Sequence, residues 1–180
     1  MHAIISLLDE KYSHTVKELW SELEKQHKVQ ALSTLVPFPH FSYQVAQQYN
    51  EEQLLTQLEA IAHHTSLFCI KTTGLGLFTG SHPVLSIPLV RTMELSLLHQ
   101  TIWQEISPLG KEVSSYYDQE RWLPHITLAE HDLEKQNVAP IVSLLSERDF
   151  SWNIIIDNLA VIWDTGTVQE VRYRFNLRHK

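Results

Sequence analysis

The sequence contains one five-residue pattern twice, and this repetition limits the folds open to the chain more than any other feature. Residues 39–43 read PHFSY and residues 124–128 read PHITL, so each copy has proline, histidine, an apolar residue, a hydroxyl residue and another apolar residue. Side chains alternate between the two faces of a β-strand. Each copy therefore predicts a strand that presents its histidine and its hydroxyl on one face and anchors the other face in a core.

The two copies lie at matching places in a repeated order of elements. Apolar periodicity predicts strand, helix, strand, helix, strand, and then the same order again with one strand added at the end. We expect strands at about 2–9, 40–46, 66–72, 84–90, 125–130, 151–163 and 169–177, and helices at about 13–27, from Asn50 onwards, at 92–107 and at 133–147. This order predicts an α+β fold, residues 1–180, with two pseudo-symmetric lobes at about 1–80 and 81–180. Each lobe is expected to have a mainly antiparallel sheet and flanking helices beside a central cleft.

The composition narrows the range of functions. Asp and Glu total 21 against 14 Lys and Arg, which gives the 180-residue chain a formal charge of -7. A chain with this charge is poorly suited to bind long duplex nucleic acid through its phosphates. The N-terminal residues lack the basic segment and the long apolar run of a signal peptide, and no apolar segment is long enough to span a membrane. We expect a cytoplasmic monomer.

Two histidines that face a common cleft suit displacement at phosphorus. If the lobes pack about a pseudo-two-fold axis, His40 and Ser42 line one cleft with His125 and Thr127. One imidazole can accept a proton from the attacking oxygen while the other donates a proton to the leaving oxygen, because the ordinary histidine pKa lies near neutral pH. The two hydroxyls can donate hydrogen bonds to the non-bridging phosphate oxygens. This chemistry requires no metal and no cofactor.

The other histidines and the single cysteine give no metal-binding pattern. The sequence has 11 histidines, but it lacks a His-Glu-x-x-His motif, and His63 and His64 are expected to point apart on a helix. We interpret Cys69 as a buried core thiol. The glycine-containing segment 74–80 is interpreted as a tight turn or a bulge, because its third glycine lies one position too late for a dinucleotide-binding fingerprint.

In its two motifs, HFSY at residues 40–43 and HITL at residues 125–128, the chain resembles the two-histidine phosphoesterase superfamily. That superfamily includes 2′-5′ RNA ligase-like proteins and cyclic nucleotide phosphodiesterases, and the resemblance covers nearly the whole chain. It implies a bilobal fold and a nucleotide or RNA-end phosphate as substrate. It also implies hydrolysis of 2′,3′-cyclic or related cyclic phosphodiesters, or action on 2′-5′ RNA linkages. By the same analogy His40 is the general acid and His125 is the general base that activates water.

Residues just before the second motif are candidates for substrate binding. Tyr117 and Trp122 could stack on a base, and Arg121 could bind a second phosphate. The alternatives are core packing for the aromatic rings and a solvated side chain for the arginine. Trp20 lies on the apolar face of the first helix and is predicted to be a core residue.

Two alternatives to an enzyme remain open from the sequence. The same cleft could bind a nucleotide or an RNA end without turnover, or the motifs could be structural relics in an interaction domain. The sequence does not identify the physiological substrate, the direction of the reaction, the oligomeric state or the histidine that acts as acid.

Overall fold

The computed structural model describes residues 1–165 and 167–179. Its strands are β1 (His2–Leu7), β2 (His40–Ala46), β3 (Gln48–Tyr49), β4 (Phe68–Lys71), β5 (Gly76–Phe78), β6 (Val84–Pro88), β7 (Gly110–Lys111), β8 (His125–Ala129), β9 (Asn153–Ile156), β10 (Asn158–Asp164) and β11 (Gln169–Asn176). Its α-helices are α1 (Glu10–His27), α2 (Ala31–Leu35), α3 (Glu51–His64), α4 (Met93–Ile106) and α5 (Lys135–Ser146), with short 3₁₀ turns at Ser107–Leu109 and Ser115–Tyr117.

Antiparallel sheets form the framework of the described chain. A four-stranded sheet has the order β11-β10-β1-β2, and a three-stranded sheet has the order β5-β6-β8. Two smaller sheets pair β4 with β9 and β3 with β7. The helices pack their apolar faces against these sheets in one main core. The predicted α+β class with mainly antiparallel sheets is confirmed.

The sheets combine strands from both halves of the sequence. The late strands β10 and β11 extend the sheet that β1 and β2 begin, and β4 of the first half pairs with β9 of the second. The order of elements therefore repeats on either side of about residue 80, but the hydrogen-bonded sheets do not divide the chain there. The two motif strands, β2 and β8, each lie at the edge of a sheet.

The helices have the amphipathic faces that their sequences predict. The buried residues of α1 and α4 are Val16, Leu19, Trp20, Leu23, Leu95, Leu98, His99, Ile102 and Ile106. Asn50 is the N-cap of α3, as predicted, because its side chain accepts a hydrogen bond from the backbone N–H of Gln53 at 3.3 Å. Within the described ranges, no helix combines the length and the apolar character needed to cross a membrane.

Two predicted strand assignments differ from the structure. The strand expected at 151–163 is two strands, β9 and β10, which are separated at Asp157 and belong to different sheets. The glycine-containing connection at 74–80 contains β5. Gly76 allows β5 to pack closely against β6, because a Cβ atom at this position would lie only 2.8 Å from Cγ of Pro88.

Cys69 differs from expectation, whereas α5 lies within its predicted range. Cys69 is exposed, because side chains alternate along β4 and its neighbour Ile70 is the residue that faces the core. The helix α5 begins at Lys135, with Glu134 and Asn137 forming a capping box. Pro140 lies inside this helix.

A buried asparagine fixes the end of β1 that lies beside the first motif. The pairing of β1 with β10 ends at Ile5. The side chain of Asn158 then accepts a hydrogen bond from the N–H of Leu7 at 2.9 Å and donates one to its carbonyl at 3.0 Å. Leu7 is the register partner of His40 in β2. The asparagine thus replaces backbone pairing where β1 supports the first histidine.

Candidate active site

The two motif strands have the same internal geometry. In both, the histidine and the hydroxyl residue are half-buried, and the two apolar residues of the motif are buried in the core. The half-buried side chains are those of His40, Ser42, His125 and Thr127. The alternation predicted from the sequence is confirmed.

All four of these side chains line one cleft of about 500 Å³. Tyr117 and Glu130 line the same cleft, and apolar residues of α1 and α2 contribute to its wall. The two imidazoles are near enough that the charge of His125 opposes protonation of His40. The common cleft that the paired motifs predict is therefore present.

Each histidine is oriented by a backbone carbonyl two residues before it. Nδ1 of His40 lies 3.0 Å from the carbonyl oxygen of Phe38, and Nδ1 of His125 lies 2.7 Å from that of Leu123. Because a carbonyl oxygen can only accept a hydrogen bond, Nδ1 carries a proton in both rings and donates it. Nε2 of each ring is then the nitrogen that can exchange a proton with a ligand.

Burial lowers the pKa of both histidines, but their neighbours differ. Burial, with a smaller contribution from the nearby His125, lowers the pKa of His40 to about 4 against the opposing hydrogen bond to Phe38. Burial also lowers the pKa of His125, but the hydrogen bond to Leu123 and the charge of Glu130 both oppose that shift. The two rings are therefore alike in geometry and different in electrostatics.

Glu130 was missed by the sequence analysis, and a duplicated β-bulge brings it into the cleft. The register of β2 against β1 and that of β8 against β6 both contain a shift. As a result, two consecutive residues of each motif strand face the core, and the fifth residue after the histidine returns to the cleft. That residue is Val45 after His40 and Glu130 after His125. A strict two-residue alternation cannot reveal this shift.

Of the candidate binding residues, Tyr117 reaches the cleft and Arg121 does not line it. Burial raises the pKa of Tyr117, the charge of Glu130 raises it further, and a hydrogen bond with the Ser42 side chain opposes the shift. Tyr117 is thus a neutral phenol between Ser42 of the first motif and the carboxylate of Glu130. Arg121 is exposed, with Nε 3.7 Å from Oδ2 of Asp118.

Trp122 lies beneath the cleft, so the interpretation that it stacks on a base is wrong. Its side chain is 1% exposed, and its ring stacks on His99 with 3.8 Å between ring centroids. Both the burial and the stack leave no ring face for a ligand. Instead, Nε1 of Trp122 donates a hydrogen bond to the carbonyl of Ser42 at 2.8 Å.

Trp20 makes the corresponding contact with the other motif. It is a core residue, as predicted, and its Nε1 donates to the carbonyl of Thr127 at 3.3 Å. Each motif strand is a sheet edge, and each therefore has a carbonyl that an indole from the opposite half of the chain satisfies. The tryptophans position the motif backbones, and Trp20 also lines the cleft.

The polar groups of the cleft suit an anion. Nε2 of the two histidines and the hydroxyls of Ser42, Thr127 and Tyr117 can donate hydrogen bonds to phosphate oxygens. Across residues 1–165 and 167–179, no group of three or more His, Cys, Asp or Glu side chains is arranged to hold a metal ion. The arrangement can bind phosphate oxygens and exchange protons with them.

The fold and the paired motifs agree with the two-histidine phosphoesterase class that the sequence resembles. The chain belongs to the 2′-5′ RNA ligase superfamily, whose sequence profile matches residues 10–167. A protein of Bacillus mycoides (strain KBAB4) whose name proposes a phosphoesterase is 27% identical over 143 residues. That alignment covers 76% of this chain and 78% of the Bacillus protein.

Solved structures show the same fold at lower sequence identity. TT0787 of Thermus thermophilus is 17% identical, with a TM-score of 0.66 over 99% of this chain and 98% of its own. LigT of E. coli, solved with 3′-AMP, is 14% identical, with a TM-score of 0.60 over the same shares. Usb1 of Kluyveromyces marxianus, solved with uridine monophosphate, is 11% identical, with a TM-score of 0.51 over 94% and 97%.

We expect Trp122→Phe to lower the free energy of unfolding by about 1–3 kcal/mol, because the Ser42 carbonyl loses its donor while much of the ring packing is kept. Urea denaturation measures this loss. Trp152→Phe is the matched control, since the indole of Trp152 donates to the exposed Asp149 carbonyl at 3.3 Å. A loss no greater than that of the control would mean that the indole does not support β2.

Proposed function

We propose that this protein is a metal-independent phosphodiesterase that hydrolyses 2′,3′-cyclic or related cyclic phosphodiesters of nucleotides or RNA ends. The observation that carries the proposal is the pair of imidazoles that line one cleft, each with Nδ1 bound to a carbonyl and Nε2 left for proton transfer. The cleft is large enough for a nucleotide, and its volume of about 500 Å³ lies in the usual range for small-molecule sites.

The reaction is a displacement at phosphorus with two proton transfers. The oxygen of a water molecule attacks phosphorus, and the bond from phosphorus to one ribose oxygen breaks. The neutral imidazole takes a proton from the water on its Nε2, and the imidazolium gives its Nε2 proton to the departing oxygen. The product is a phosphate monoester with a free hydroxyl, and solvent returns the two rings to their starting protonation states.

Three hydroxyls support the charge that develops on the non-bridging oxygens. Ser42 and Thr127 share the cleft face of their strands with the histidines, so they are positioned to donate from both sides of the phosphate. Tyr117, beside Ser42, adds a third donor, because its raised pKa keeps the phenol protonated at neutral pH. These donors and the imidazoles perform the functions for which other phosphodiesterases use metal ions.

The neighbours of the two rings favour His125 as the acid and His40 as the base. Glu130 stabilises a proton on His125, whereas burial and the proximity of His125 hold His40 neutral. This assignment reverses the one that the family resemblance implies. It follows from Glu130, whose equivalent beside His40 is the apolar Val45.

Family membership and the related structures support a nucleotide as substrate. LigT was solved with 3′-AMP and Usb1 with uridine monophosphate, and both share this fold. The apolar contribution of α1 and α2 to the cleft wall offers a surface for a nucleoside. Action at 2′-5′ RNA linkages would use the same two proton transfers. Compared with hydrolysis, a ribose hydroxyl would be the attacking oxygen and the 5′-oxygen of the next nucleotide would be the leaving oxygen.

We expect hydrolysis of nucleoside 2′,3′-cyclic phosphates to persist in excess chelator and to fall roughly 10²–10⁴-fold in both His40→Ala and His125→Ala. Product formation followed by chromatography measures the rate. His82→Ala is a control for loss of an imidazole, since His82 is exposed and lies outside the cleft lining. Activity that needs added metal, or that survives both substitutions, would refute the proposal. Tight nucleotide binding without product would instead indicate a binding module.

We expect kcat/KM to follow a bell-shaped pH profile with its maximum on the acid side of 6.5, the ordinary histidine value. One ring must be protonated and the other neutral, and burial lowers both pKa values. Raising the pH therefore removes the proton of His125, while lowering it towards about 4 protonates His40 as well. A profile that is flat between about pH 5 and pH 8 would contradict the acid–base pair.

The assignment of acid and base can be tested with a leaving group that needs no proton. On the p-nitrophenyl ester of a 2′-deoxynucleoside 3′-phosphate, which has no 2′-hydroxyl to attack the phosphate, His125→Ala should lose roughly tenfold or less, whereas His40→Ala should lose roughly 10²-fold or more. The departing p-nitrophenolate is stable without an acid, but the attacking water still needs a base. If His40→Ala instead lost less activity than His125→Ala on this ester, His40 would be the acid and His125 the base, as the family resemblance implies.

A further inference from the structure

The charge of the cleft is unusual for a site that binds phosphate. None of the described residues that line it is a lysine or an arginine. Four arginines elsewhere in the described chain lie in ion pairs with carboxylates, namely Arg121 with Asp118, Arg148 with Glu22, Arg172 with Glu51 and Arg174 with Asp157. Among the described side chains that line the cleft, only those of the histidines can carry a positive charge.

The catalytic pair can supply only one positive charge at a time. Both rings are desolvated, and a proton on His125 opposes a proton on His40. The proposed mechanism uses the same state, with one ring charged and one neutral. A phosphodiester carries a single negative charge, so the catalytic pair can match one such group and no more.

Glu130 adds a negative charge to this cleft, whose described lining has no lysine or arginine to balance it. The bulge in β8 directs the residue five positions after His125 into the same space as both motifs. The exposed His131 lies beside this carboxylate, with Nε2 3.5 Å from Oε1. A second phosphate on the substrate would lie in a cleft without lysine or arginine and would be repelled by Glu130.

We propose that the cleft selects cyclic phosphodiesters whose only negative charge is on the reacting phosphate, and that Glu130 repels substrates with a second phosphate. This inference rests on the proposed function and narrows it. The preferred substrate class is a nucleoside 2′,3′-cyclic phosphate with a free 5′-hydroxyl. An RNA 3′ end is disfavoured, because the phosphate that links its last two nucleotides carries a second charge.

The test compares three substrates that share one reacting group. They are a nucleoside 2′,3′-cyclic phosphate, the same compound with a 5′-phosphate, and a dinucleotide that ends in the 2′,3′-cyclic phosphate. We expect wild-type kcat/KM to be roughly tenfold higher or more for the first than for either of the others. The protein should carry no affinity tag before Met1, since Met1 also lines the cleft.

Glu130→Gln should reduce this preference to a factor of a few, because the amide keeps the shape and removes the charge. Glu120→Gln is the matched control, since it removes the same charge from an exposed residue outside the cleft lining and should leave the preference unchanged. Where Glu130→Gln loses turnover on all three substrates, inhibition by nucleoside 2′-monophosphates with and without a 5′-phosphate measures the same preference.

Each result has a defined meaning. The inference would be overturned if the wild-type protein had equal kcat/KM on the three substrates, or if Glu130→Gln and Glu120→Gln showed equal preference for the substrate with one phosphate. Either result would leave the proposed function intact. No wild-type turnover of any of the three substrates in chelator would overturn the proposed function itself. A wild-type preference that weakens only in Glu130→Gln supports both.

Discussion

The cleft depends on two sheet edges that stay separate from each other. An edge strand carries unpaired backbone groups that tend to recruit another strand. Here Trp122 satisfies the carbonyl of Ser42, and Trp20 satisfies that of Thr127, so each edge is completed by a side chain from the other half of the chain. The two histidine strands are thereby fixed relative to one another without pairing, and the space between their polar faces remains available to a ligand.

The same duplicated backbone supports two rings with different proton affinities. Both imidazoles donate from Nδ1 to the carbonyl two residues earlier, and both strands contain a bulge after the motif. The proposed acid–base mechanism needs one charged ring and one neutral ring, and a perfectly symmetric pair would place the proton on either ring with equal probability. The fifth position after each histidine breaks the symmetry, with Val45 on one side and Glu130 on the other. A single side chain thus divides the roles of two otherwise matched groups.

Local sequence patterns predicted the elements and the motif faces, because alternation and amphipathicity act within one strand or helix. Local patterns did not predict which strands pair. The pairing of β4 with β9 joins residues from opposite halves of the chain, and only tertiary packing selects it. Trp122 was misjudged for a related reason, since its burial comes from His99 on a distant helix. Glu130 was missed because the bulge that redirects it depends on the neighbouring strand.

A cleft with so little fixed positive charge also favours release of the product. Opening a cyclic diester converts a group with one negative charge into a phosphate monoester. The second ionisation of a monoester has a pKa of about 6, so the product carries close to two negative charges at neutral pH. Fixed lysines or arginines would hold that product more strongly than the substrate. Histidines that share one proton hold it less strongly, and Glu130 opposes the additional charge. In the proposed reaction, the features that favour a substrate with one phosphate therefore also weaken inhibition by the product.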